Sequence, residues 1–153
     1  MNRLNRWVAT DDWDRIKKTG VLRVLVAYSQ SNFFIDKGEH RGFEYELLKG
    51  FPEFIQKTKK GGPGEFVLLF VPVPFEELLP ALLEGKGDVA AAGLTITPVR
   101  LQKIAFTEPY LRNVDEVTIA APNTPPPKAL EDLQGREICV LPSSSFAEPH
   151  EAV

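Results

Sequence analysis

The chain has 153 residues, a net charge of −3 and ordinary apolar and charged fractions, enough for one domain burying roughly 70% of its unfolded surface. That charge argues against a nucleic-acid or anionic-membrane partner, and the single cysteine, Cys139, excludes an internal disulfide and a cysteine-based zinc site. No apolar run approaches the ~20 residues of a membrane span, and residues 1–10 lack the apolar core of a signal peptide.

Asp11, Asp12 and Trp13 open a short predicted helix, with Trp13 and Ile16 on one face and Gly20 as its stop. Residues 21–27 are nearly continuous in apolar side chains, as in a strand covered on both faces. A polar, Phe-containing loop follows over 28–41. From Phe43 a helical period puts Phe43, Leu47, Leu48, Phe51, Phe54 and Ile55 on one stripe. Gly50 and Pro52 predict a bend or early stop there, since an interior proline costs ~3 kcal/mol. Residues 56–64, rich in lysine and glycine, read as a solvated loop. A second buried strand is expected over 66–71, and a helix over 77–84 with Pro80 in its first turn and Gly85 at its end. A short strand of small residues spans 88–92.

Strand–helix–strand–helix–strand predicts right-handed crossovers and an α/β lobe with a mainly parallel sheet flanked by helices. Its ligand crevice should lie beyond the carboxyl ends of the strands, where Gly93, Thr95 and the loop at Tyr28 fall. Further strands are expected over 116–121 and 136–141, with a stiff, Pro-rich connector at 122–128 and a helical turn at 130–133. Cys139, inside the apolar run 138–141, is expected to be a buried thiol. One strand cannot bury its own faces, so residues beyond about 128 should pack less fully. The expected organisation is an N-terminal extension and short helix (1–20), a ligand-binding lobe (21–121), the crossover (122–128) and the beginning of a second, truncated lobe (129–153).

The densest local signal is Ala92-Gly93-Leu94-Thr95-Ile96-Thr97-Pro98-Val99-Arg100. Thr97 suits a helix N-cap and Pro98 the first helical position, so free N–H groups and a positive dipole end should face whatever docks. Arg100 in that first turn can reach a carboxylate with two prongs, Gly93 permits close approach to the backbone, and Thr95 adds a hydroxyl. The competing reading is that Arg100 simply pairs with a nearby acid of the chain.

Four segments resemble, in order, the bacterial solute-binding proteins of family 3: Gly42-Phe43-Glu44-Tyr45-Glu46-Leu47; Leu79-Pro80-Ala81-Leu82 with Gly85-Lys86-Gly87-Asp88; the 92–98 run with Arg100; and Phe106-Thr107-Glu108-Pro109-Tyr110. The resemblance implies a periplasmic-binding-protein-like fold of two α/β lobes that close on a ligand. A narrower resemblance, carried by Leu22-Arg23-Val24-Leu25-Val26, residues 33–38, Val71-Pro72-Val73-Pro74 and Ser143-Ser144-Ser145, is to the binding module of envelope lytic murein transglycosylases of the membrane-bound F type. There the module precedes a lysozyme-like catalytic domain, whose Glu-Ser signature is absent here. By resemblance, Arg100 and Thr95 would meet a ligand carboxylate, the Gly93 carbonyl an amine, and Phe75 would stack on the ligand. Ser29 stands near the position where amino-acid receptors often carry an acid, and Phe33 and Tyr28 are candidates to line the cleft.

The expectation is therefore a periplasmic or envelope sensing module for a small carboxylate ligand, an amino acid or a wall-derived peptide. It would serve as the regulatory part of a lytic transglycosylase, be monomeric and non-catalytic, and use no metal or cofactor. The alternative is a free-standing receptor feeding an amino-acid transporter. An enzymatic role as a dehydratase finds no nucleophile–base pair, and His40 and His150 read as solvated loop residues. Lobe closure implies that this chain alone binds weakly or not at all.

Overall fold

A computed structural model describes residues 13–58, 66–115 and 117–148, so Asp11, Asp12, His150 and most of the 56–64 loop lie outside the described residues. The chain divides into two compact units, one through Thr95 and one from Ile96.

In the first unit, α1 (Trp13–Thr19) leads into β1 (Val21–Val26) through Gly20 at φ 68°, a left-handed stop that only glycine adopts without cost. Phe34–Asp36 (β2) and Glu39–Arg41 (β3) follow as an antiparallel hairpin, where a loop was expected. Its two-residue turn is Lys37-Gly38, both at positive φ, the geometry that matches the twist of hairpin strands. Next come α2 (Phe43–Leu48), α3 (Phe51–Thr58), β4 (Val67–Pro72), α4 (Leu78–Leu83, entered through a 3₁₀ turn at Phe75–Glu77) and β5 (Val89–Ala91).

β1 is the central strand. It pairs in parallel with β4 along its whole length and with β5 at Val24–Val26, in the order β4-β1-β5. Its alternate side chains supply two cores, because successive residues of a strand point to opposite faces. Leu22, Val24 and Val26 join Ile16, Phe33 and Ile55 on one side, whereas Leu25 and Ala27 join Leu78, Ala81 and Ala92 on the other. Helices thus cover both faces, as a parallel sheet requires. The expected burial of β4 is corrected: it pairs only with β1 among the described residues, and Val67 and Leu69 are exposed.

The predicted break near Gly50 is real, and it divides one expected helix into two. Pro52 falls in the first turn of α3, where its missing N–H costs nothing. The buried stripe also differs from the expected one. Leu48, Phe51 and Ile55 face the core together with Tyr45, while Phe43, Leu47 and Phe54 are exposed. Gly42 cannot be replaced cheaply: at φ 120° a Cβ there would sit 2.2 Å from the Asn32 carbonyl oxygen.

In the second unit, α5 (Pro98–Leu101) and short 3₁₀ turns at Leu130–Leu133 and Ser145–Ala147 are the regular elements among the described residues. The expected helical turn at 130–133 forms, whereas 117–121 and 136–141 make no strand. Val117, Ile119, Ile138, Val140 and Leu141 are exposed, and an extended segment needs a paired neighbour before its backbone groups and apolar face are satisfied. Cys139 is likewise exposed, which corrects the expectation of a buried thiol. No helix among the described residues is long and apolar enough to cross a membrane.

Candidate functional site

Local sequence builds the device around α5 much as its pattern suggests. Thr97 is the N-cap in extended geometry, its hydroxyl accepting the Arg100 backbone N–H at 3.3 Å, and Pro98 occupies the first helical position. The helix is only four residues long, so side chains rather than a dipole carry the chemistry. Arg100 is not in an open crevice: it is 4% exposed. Its Nε donates to Glu148 Oε1 at 2.6 Å, and Thr97 Oγ1 donates to Glu148 Oε2 at 2.6 Å. Arg100 Nη2 also donates to the Ser143 carbonyl at 3.1 Å. One carboxylate is thereby gripped at both oxygens, by a guanidinium and by a hydroxyl. The competing sequence reading, an arginine paired with an acid of the chain, describes this arrangement, although the acid lies 48 positions away. Beside the clamp, Ser143 Oγ is buried without a hydrogen-bond partner among the described residues, a state that costs about 1–3 kcal/mol.

Within the first unit, Tyr28 and Ser29 line an open-sided cavity of about 480 Å³ together with Gln30 and Phe34. Ser29 organises this turn: its N–H donates to the Phe33 carbonyl at 2.9 Å and its hydroxyl accepts from the N–H groups of Ser31 and Asn32. Phe33 is a correction. It is fully buried, with its ring against Phe70, His40 and Tyr28 at centroid separations of 5.3–5.8 Å, so it packs the core and Phe34 takes the place at the cavity. His40 belongs to β3 and meets these rings from an exposed position rather than standing in a loop. Phe75 is half-buried against the core beneath α4.

Gly93 and Thr95 are exposed just beyond the carboxyl end of β5. Gly93 has φ 63°, the left-handed geometry its residue type permits, and its N–H donates to Glu44 Oε1 at 2.6 Å. Glu44 is itself buried. It ties α2 to the end of β5 and is a positioning residue that sequence reasoning recorded only as part of a motif.

A second arrangement went unread. Asp88, just before β5, accepts from Arg23 Nη2 at 2.7 Å, Arg23 Nε at 3.1 Å and the Arg23 backbone N–H at 2.8 Å, and it also pairs with Arg15. Burial pushes the Asp88 carboxyl up, but these hydrogen bonds outweigh it and hold the group below its ordinary carboxylate range. The cluster clamps α1, β1 and the entry to β5 together, and so supports the strand ends where Tyr28 and Gly93 emerge. The sequence signals were a charged residue inside an otherwise apolar strand and the place of Arg23 and Asp88 within the segments that carry the family resemblance.

Residues 22–136 match the family described as bacterial extracellular solute-binding proteins, family 3. The chain belongs to that family. Among its curated relatives, the membrane-bound lytic murein transglycosylase F of Pseudomonas fluorescens is 35% identical over 136 residues, covering 88% of this chain and 26% of the relative. The chain thus spans about a quarter of the length of the curated relatives it matches. Among solved structures, an ancestral cationic amino-acid solute-binding protein is 35% identical with a TM-score of 0.54, covering 64% of this chain and 40% of that one. Domain 1 of the arginine-binding protein TmArgBP, as a Phe-to-Trp mutant in its arginine-bound form, is 31% identical with a TM-score of 0.54, covering 64% of this chain and 70% of that one. The solute-binding family and the α/β architecture expected from the sequence are both shown by these matches.

Proposed function

We propose that the chain is a sensing module for a small carboxylate ligand, an amino acid or a peptidoglycan-derived peptide, in the regulatory part of a cell-envelope lytic transglycosylase. The observation that carries this reading is the pair of donors, Arg100 and Thr97, whose hold on both oxygens of the chain's own Glu148 displays the geometry a ligand carboxylate would need. A guanidinium paired with a hydroxyl meets both oxygens of such a group, and charge-assisted bonds of this kind are the strong ones. The names of the transglycosylase relatives support the assignment to the envelope, and those of the amino-acid-binding neighbours support the ligand class. On this reading the module binds and does not catalyse; any catalysis belongs to sequence beyond it.

A second reading, a receptor serving an amino-acid transporter, is favoured by those same solved neighbours. Reading the coding sequence past Val153 separates the two: a further domain with a Glu-Ser signature supports the first. Ligand class is tested by thermal shift and calorimetry with the amino acids and with stem peptides of peptidoglycan. TmArgBP domain 1 has an arginine-bound form, so the chain as given is also a fair subject for this screen. A bound carboxylate should lose about ten- to a hundred-fold in affinity in Arg100→Ala, the equivalent of one charged hydrogen bond. Equal binding by Arg100→Ala, or no binding of any carboxylate by the full-length protein, would refute the proposal.

A further inference from the structure

We propose that Glu148 is a built-in competitor for the carboxylate clamp: its side chain fills the place a ligand carboxylate takes, so that binding is an exchange of one carboxylate for another. The proposal rests on the reading of Arg100 and Thr97 as a carboxylate-binding site. Three observations carry it, all within the second unit.

The first is chemical identity. Glu148 presents to the clamp the group the clamp is proposed to recognise, with Arg100 Nε on one oxygen and Thr97 Oγ1 on the other, each at 2.6 Å. The second is the asymmetry of burial: Arg100 retains 4% side-chain exposure and Glu148 21%, so the acid is the more solvent-exposed partner of the pair. Glu148 is carried at the end of the Ser145–Ala147 turn, whose backbone bonds Ala147 N–H to Ser144 O and Glu148 N–H to Ser145 O both measure 3.2 Å. These lie at the long limit of such bonds. The third is incomplete satisfaction. Ser143, whose carbonyl accepts from Arg100, keeps its hydroxyl buried without a partner among the described residues. Glu148 therefore fills the clamp without meeting every polar group at it, and a ligand with a second polar group holds an advantage over the internal acid.

Apparent affinity falls by the fraction of time a site is competent. A clamp closed on Glu148 about nine-tenths of the time weakens an external carboxylate about tenfold. The probe is acetate, a bare carboxylate, titrated against chloride at equal ionic strength and followed by saturation transfer to the acetate methyl. Glu148→Gln keeps the shape of the side chain and removes its charge; it should bind acetate about tenfold more tightly than the native chain, and Arg100→Ala with Glu148→Gln should not bind it.

If Arg100→Ala abolishes acetate binding while Glu148→Gln leaves the affinity unchanged, the site stands and the competitor role falls. If the double variant binds as well as Glu148→Gln, the site reading itself falls, and the proposal with it. A measurement on the native chain avoids dependence on a folded variant. As acetate saturates, the Glu148 Cδ resonance should move to the position of a solvated carboxylate, and an unmoved resonance at saturation overturns the proposal.

Discussion

Asp88→Asn is the sharpest perturbation of the framework that carries the strand ends. Asp88 is 5% exposed at its side chain, and so is Arg23. The change leaves the size of the side chain intact but removes the charge that two arginines share, and it sets an amide N–H₂ against a guanidinium. Arg23 Nη1 keeps its bond to the Gly85 carbonyl at 2.9 Å, which does not replace a counter-charge. Removing one partner of a buried ion pair costs about 3–5 kcal/mol, a large part of the 5–15 kcal/mol that typically holds a domain. At about 4–8 °C per kcal/mol for a unit of this size, the midpoint should fall by at least about 12 °C. The assay is thermal unfolding by circular dichroism at neutral pH, repeated on acidification. The native Asp88 carboxyl ionises below its ordinary value, so its contribution is fully present above the unfolded pKa of about 3.9. It is lost as the pH falls through the lower folded value, and Asp88→Asn should lack that part of the acid dependence. A midpoint loss under about 4 °C, or an unchanged acid profile, would refute the claim that this cluster clamps the sheet.

Two further outcomes are expected. Phe33→Ala should cost about 3–5 kcal/mol of stability, as for a fully buried ring, while Tyr28→Ala, 61% exposed at the cavity, should cost under about 1 kcal/mol; denaturant unfolding of the pair decides whether Phe33 is core or cleft. Amides of 24–26, held between two parallel neighbours, should exchange far more slowly than those of 137–141, which are in no strand. Equal protection by hydrogen-exchange mass spectrometry would count against the unpaired state of the second segment.

The parallel lobe was legible because its signals are local and repeat at a fixed period. A continuous apolar run marked β1, glycines at the right offsets ended α1 and α4, and Thr97-Pro98 marked the start of α5. Where the outcome depended on a neighbour, the pattern was insufficient. Among the described residues, the run 136–141 has strand composition but no pairing, and β4 has the composition of a buried strand but stands at an edge. The stripe over α2 and α3 was misassigned because α2 presents Tyr45 and Leu48 to the core rather than Phe43 and Leu47, and the break before α3 ends the single helical period that linked them. The hairpin turn at Lys37-Gly38 was not read, because a Lys-Gly pair lacks the Asn-Gly or Asp-Gly signal of such turns; Phe33 was separable from Phe34 only by which of the two the core claims.

The sequence alone determined which groups are present for the site and how the backbone caps α5: a hydroxyl, a first-turn proline and an arginine within four residues, where local hydrogen bonding dictates geometry. Only the tertiary structure decided what these groups hold. Glu148 meets Arg100 across 48 positions, Glu44 meets Gly93 across 49, and Asp88 meets Arg23 across 65. A charged side chain is long and flexible, its interaction energy depends on distance and desolvation rather than on spacing along the chain, and no periodicity records which acid reaches which base once the strands have been brought side by side.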